Sequence, residues 1–132
     1  MNQLHLNESG PKVVIACPPG EMHEVGAQLA AYVCRAQGCR VHFLGPDVPV
    51  DSIVSLSRDI GADLVLLSVV MPFSGKESGR LLKQFQKKLL PICPIWAGGR
   101  GASAMKERFE LHQIKVVEGL NDLKQDLTRF RR

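Results

Sequence analysis

The 132-residue sequence has no long hydrophobic stretch. Its most apolar run, Leu64 to Leu67 and then Val69 to Met71, is interrupted by Ser68 and stopped by Pro72. A membrane-spanning helix needs about 20 apolar residues, so this run does not read as one. Met1 to Pro11 has neither a basic start nor an apolar core and does not read as a secretion signal. The four cysteines (Cys17, Cys34, Cys39, Cys93) include no Cys-x-x-Cys pair and no evenly spaced framework. That usage points to reduced thiols and a cytoplasmic protein rather than to a disulfide scaffold. Internal repeats and low-complexity segments are also missing. Membrane, secreted and disordered classes are set aside on these grounds.

What is present is the composition of an ordinary globular domain, 45% hydrophobic and 23% charged. The length suits one domain, and a chain of this size buries roughly two-thirds of its unfolded surface without needing a metal or disulfide staple. Charge is unevenly spread: residues 1–66 carry a balance of −3 and residues 67–132 one of +7. This bias hints at an acidic partner but is not by itself a nucleic-acid signature, and direct nucleic-acid binding is not expected.

Met1 to Pro11, ending in Ser9-Gly10-Pro11, reads as a lead-in or linker, with the domain occupying residues 12–132. From there strand and helix periods alternate. Strands are predicted at Lys12 to Cys17, Arg40 to Leu44, Asp63 to Val70, Ile92 to Ala97 and Ile114 to Val117. Helices are predicted at Glu24 to Gln37 (apolar face Val25, Leu29, Val33, Ala36), Ser52 to Ile60 (Ile53, Leu56, Ile60) and Gly75 to Leu89 (Leu81, Leu82, Phe85, Leu89). A short helix follows around Ala102 to Glu110, and Leu120, Leu123, Leu127 and Phe130 mark the last one. Gly38 and Gly61 close the first two helices. Trp96 falls in a strand and reads as core. Five such units predict an α/β three-layer sandwich of the flavodoxin-like (Rossmann-like) kind, with a five-stranded parallel sheet in the order 2-1-3-4-5. Ligands of such sheets bind beyond the carboxyl ends of the strands where the winding reverses, here between the first and third. That singles out the loops Pro18 to Gly26, Val70 to Gly75 and Gly98 to Gly101.

The first loop reads Cys17-Pro18-Pro19-Gly20-Glu21-Met22-His23-Glu24-Val25-Gly26. A neutral imidazole is a good transition-metal ligand, and a ligating histidine usually donates its other ring N–H to a carboxylate. Glu21 is placed for that, with Glu24 as a substitute. One imidazole does not make a protein metal site, so a lone ligand points to a metal that arrives in its own macrocycle. The alternative is a histidine that caps the helix or faces solvent. Ser68, in an otherwise apolar strand, needs a hydrogen-bond partner: a neighbouring carbonyl on the plain reading, a ligand on the functional one. Gly98-Gly99-Arg100-Gly101 offers bare backbone to a flat ligand, or a tight turn.

Taken in order, Glu21-x-His23-x-x-Gly26, Ser68-x-Val70 and Gly98-Gly99 resemble the cobalamin (vitamin B12)-binding domain, whose pattern is Asp-x-His-x-x-Gly, Ser-x-Leu and Gly-Gly. The first loop is most similar to those of the cobalamin domains of MerR-type, light-responsive transcription regulators. The resemblance implies a cobalamin cofactor, with adenosyl or methyl as the upper ligand. It implies that His23 replaces the cofactor's own base as lower cobalt ligand, the base-off, His-on state, with Glu21 behind it. Ser68 is then expected to hydrogen-bond the displaced base, and Gly98 and Gly99 to border the channel for the nucleotide tail. Glu21 and Val70 depart from the usual Asp and Leu.

The leading function implied is a cobalamin-binding sensor or regulatory module, with a protein partner or DNA-binding domain outside this chain and self-association as a possible output. The alternatives are the small corrinoid-carrying subunit of a mutase or methyltransferase, and a flavodoxin-like signalling domain that binds no cobalamin. A receiver domain is disfavoured, because no acidic pair follows the first strand. A zinc site or a catalytic pair built from Cys17 and His23 is disfavoured too. Lys76, Arg80, Lys83 and Lys87 form a basic stripe that reads first as solvated surface and second as a docking face.

Overall fold

A computed structural model describes residues 9–130. Most of the expected lead-in, and Arg131 and Arg132, lie outside the described residues. Five strands form one parallel sheet: β1 (Lys12–Ala16), β2 (Arg40–Gly45), β3 (Leu64–Ser68), β4 (Ile95–Gly98) and β5 (Lys115–Val117). Their order is β2-β1-β3-β4-β5, as the alternation of periods predicts. Register is set by the apolar runs themselves: Val13 to Ala16 lie beside Leu64 to Leu67, and Val65 to Ser68 beside Ile95 to Gly98.

The helices are α1 (Val25–Ala36), α2 (Val50–Ile60), α3 (Gly75–Gln84), α4 (Arg100–Ala104), α5 (Lys106–Leu111) and α6 (Leu120–Phe130). Because successive strand residues point to opposite faces, each strand feeds two cores. Val14, Ala16, Val65 and Leu67 pack with Ile53 of α2, Leu82 of α3 and Phe109 of α5. Val13, Ile15, Leu64 and Leu66 pack with α1 and α6 on the other face, together with Trp96. Phe130 meets Trp96 edge-on at 5.5 Å between centroids. No helix among the described residues is long and apolar enough to cross a membrane.

Several boundaries and faces differ from the sequence reading. The α1 face turned to the sheet is Ala27, Ala30, Ala31 and Cys34; of the expected Val25, Leu29, Val33 and Ala36 only Val33 packs, partly buried, against that core, while Val25 is 69% exposed and Leu29 49%. Small side chains bring the helix close to the strands, and that closeness rotates its larger residues outward. The third helix changes to a wide π-turn at Phe85–Leu89 before Pro91, with Leu90 N–H donating to the Phe85 carbonyl. This turn keeps Leu82, Phe85 and Leu89 all buried, while Leu81 is only half-buried. The helix expected around Ala102 to Glu110 is two short ones, broken at Met105. Gly61, at φ +67°, closes α2 with a left-handed cap, and Ala62 N–H donates back to the Ser57 carbonyl at 2.9 Å. All four cysteines are buried thiols, and no disulfide forms among the described residues.

Candidate functional site

The site lies at the carboxyl ends of β1, β3 and β4, where the winding reverses. After β1 the two prolines and Gly20 fold the chain back, so that Glu21 N–H donates to the Pro18 carbonyl at 3.0 Å. This turns the Glu21 side chain inward, where it is 3% exposed. One carboxylate oxygen, Oε2, accepts the His23 ring Nδ1–H at 2.8 Å and the His23 backbone N–H at 3.2 Å. The other, Oε1, accepts Val70 N–H at 2.7 Å and Met71 N–H at 2.8 Å. Burial alone raises the Glu21 carboxyl pKa; the donors from Met71, His23 and Val70 outweigh it and hold the group below its usual range.

Fixing Nδ1–H on the carboxylate leaves the His23 lone pair on Nε2. The side chain is 61% exposed, so that nitrogen is available to a ligand. His23, with Glu21 behind it, would hold a metal through one ligand only, so the other ligands would have to come with the metal's own macrocycle. Glu24, weighed as a substitute for Glu21, instead accepts a hydrogen bond from Gln28 Nε2 at 3.2 Å. Cys17 is buried, its thiol pushed up to about 11 by that burial and by the charges of Glu21 and Glu24. The thiol donates to the His23 carbonyl at 3.5 Å, not to the His23 ring.

A cleft of about 210 Å³ runs between α1 and α6 and reaches the His23 loop at Gly26. Gly26, Ser68, Val70, Gly98 and Gly99, five of the seven residues singled out from the sequence, line it together. The Ser68 hydroxyl, expected on the plain reading to bond a backbone carbonyl, has no hydrogen-bond partner among the described residues, although Ser68 is only 8% exposed. Gly26 faces it: a Cβ there would stand 3.6 Å from Ser68 Oγ and narrow the cleft. Gly99 sits at φ +109°, and a Cβ there would overlap the Val69 carbonyl. That same carbonyl accepts Gly101 N–H at 2.9 Å. The glycine cluster therefore wraps its own chain around the end of β3 as well as baring backbone to the cleft.

Sequence reasoning missed the rest of the lining. Ile15, Leu66 and Leu67 come from the strands, Leu29 and Ala30 from α1, and Val117, Gly119, Leu120 and Leu123 from the β5–α6 corner. The run of small residues Gly26, Ala27, Ala30 and Ala31 was the available sign that α1 approaches the sheet closely. Val70 acts through its backbone N–H as well as at the cleft wall.

A 2-1-3-4-5 parallel sheet with a cleft at its winding reversal defines a flavodoxin-like domain. The profile of the family described as "B12 binding domain" matches residues 11–121, and the chain belongs to that family; its cofactor is cobalamin. It is similar to the HTH-type transcriptional repressor CarH of Myxococcus xanthus, 32% identical over 83% of this chain and 36% of that protein. It is also similar to dimethylamine corrinoid protein 1 of Methanosarcina acetivorans, 31% identical over 75% of this chain and 52% of that protein. The fold matches a cobalamin-binding protein from Desulfitobacterium hafniense DCB-2, with TM-score 0.73 at 21% identity, over 92% of this chain and 60% of that one. The chain thus spans about a third to about half of the curated relatives' length.

The Glu21 geometry has a measurable consequence. In Glu21→Gln one oxygen becomes an NH₂, which cannot accept from either pair of N–H donors, so the variant should lose about 1–3 kcal/mol at neutral pH. The folded-state pKa of Glu21 is depressed, so its contribution is present above the usual 4.5 and is lost as the pH falls through the folded value. Urea denaturation at a series of pH values should therefore show the wild type and the variant converging in acid. A gap that stays constant or widens there would rule out the carboxylate clamp.

Proposed function

We propose that residues 12–132 hold cobalamin base-off, with His23 Nε2 as the lower cobalt ligand, Glu21 fixing its tautomer, and the nucleotide tail in the cleft lined by Gly26, Ser68, Val70, Gly98 and Gly99. The observation that carries this reading is a histidine whose outward nitrogen has no partner among the described residues, three residues before the Gly26 that lines a cleft whose one side-chain hydroxyl has no partner among them either. Bound cobalamin supplies a cobalt–carbon bond, and the radical or group-transfer chemistry is the cofactor's own. The protein's part is to present the imidazole, exclude water from the tail and hold the Nδ1 proton on Glu21.

We read the module as a sensor that reports the cofactor's state to a protein partner or a DNA-binding domain outside this chain, in the reducing cytoplasm that its buried thiols suit. Similarity to a transcriptional repressor supports this. A second reading, a corrinoid-carrying subunit for a methyltransferase or mutase, is supported by similarity to corrinoid proteins. Under either reading the isolated chain should turn nothing over. Nothing among the described residues covers His23, and an open face does not shield a reactive bond from water.

His23→Ala should shift the visible spectrum of the bound corrinoid or abolish binding; an unchanged spectrum would dismiss His23 as the ligand. Ser68→Ala should weaken cobalamin by roughly 1–3 kcal/mol and leave cobinamide, which has no base, nearly unaffected. Equal losses in a titration would make Ser68 a structural hydroxyl only. Gel filtration with and without adenosylcobalamin, in the dark and after illumination, should show a cofactor-dependent change in self-association or partner binding. If neither changes, and an added large subunit yields methyltransferase or mutase activity, the carrier reading replaces the sensor.

A further inference from the structure

Cobamides share the corrin ring and differ in the base at the end of the nucleotide tail. The most buried part of the cleft lining is carbon: Ile15 and Leu66 from the sheet, Val117 from β5 and Leu123 from α6, each 4% exposed or less. Leu29 and Leu120, at 49% and 43%, stand at its rim. Among all the lining side chains, Ser68 Oγ is the single hydrogen-bonding group, and it has no partner among the described residues.

Building on the placement of the tail proposed above, we infer that this cleft selects cobamides whose base is a benzimidazole with one free ring nitrogen, and rejects those carrying a purine. Dimethylbenzimidazole joined to ribose keeps one polar atom, an acceptor, which matches one hydroxyl donor. Its methyl groups suit the aliphatic lining. Adenine in the same place keeps three ring nitrogens and an amino group. Ser68 satisfies one of these, and the others lose water without gaining a partner. Apolar pockets reject an isostere with one added polar group by about a hundredfold, so a preference of about tenfold or more is expected here. Ser68 and the carbon lining act together, Ser68 by matching the single acceptor and the other side chains by offering no hydrogen-bonding group to the extra ones.

The test is titration of the full chain with cobalamin, its adenine-based analogue and cobinamide, matched in upper ligand and followed by visible absorption. Cobalamin should bind at least about tenfold more tightly than either of the others. Equal binding of cobalamin and the adenine analogue, both tighter than cobinamide, would overturn the selectivity while leaving the tail in the cleft. Equal binding of all three would remove the tail from the cleft and overturn both readings. Val117→Thr places a hydroxyl in the carbon lining at almost unchanged volume and should narrow the gap between cobalamin and the adenine analogue. A gap that Val117→Thr leaves untouched would overturn the assignment of selectivity to this lining.

Discussion

The arrangement at the winding reversal depends on one buried carboxylate. Glu21 joins two loops that are separated by about fifty residues of sequence, taking the His23 ring and backbone on one oxygen and the Val70 and Met71 amides on the other. A carboxylate oxygen accepts two such bonds, so all four donors are satisfied at one residue. The acceptor is charged, which makes these bonds stronger than neutral ones and offsets the cost of taking the charge out of water. The imidazole orientation and the position of the loop after β3 are consequently not independent. Whatever engages His23 acts on the same carboxylate that holds Val70 and Met71.

The departure of Glu21 from the usual aspartate of the family pattern has a structural use here. The longer side chain reaches past its own loop to the end of β3 while still holding Nδ1 of a histidine two residues on. At Val70 the backbone amide makes the contact, so a change of side chain leaves that bond intact.

The cleft depends on closeness of a different kind. Alanines and Cys34 on the inner face of α1 let the helix lie near the sheet, which turns Leu29 toward the opening instead of into the core. The β5–α6 corner supplies the opposite side, and Gly119 and Gly98 keep the space between free of side chains. Val25 and Tyr32 also stand outward, at 69% and 72% exposure, and nothing among the described residues accounts for them. Lys76, Arg80, Lys83 and Lys87 are exposed on α3 and its π-turn, as their spacing predicts.

Strand identity, strand order and the loops of interest were legible in the sequence because they rest on local features: short apolar runs, helix-ending glycines and short connections that force parallel crossovers. The pairing of Glu21 with His23 was legible for the same reason, the two residues being neighbours in one constrained loop. Only the tertiary structure decided which face of α1 turns inward, because the sheet-facing stripe is chosen by how near the helix lies and not by hydrophobicity alone. It also decided where the second oxygen of Glu21 goes, that the Ser68 hydroxyl has no partner among the described residues, and that Val117, Leu120 and Leu123 complete the cleft. Each of these depends on which residues distant in the chain meet, and periodicity and spacing carry information only about near neighbours.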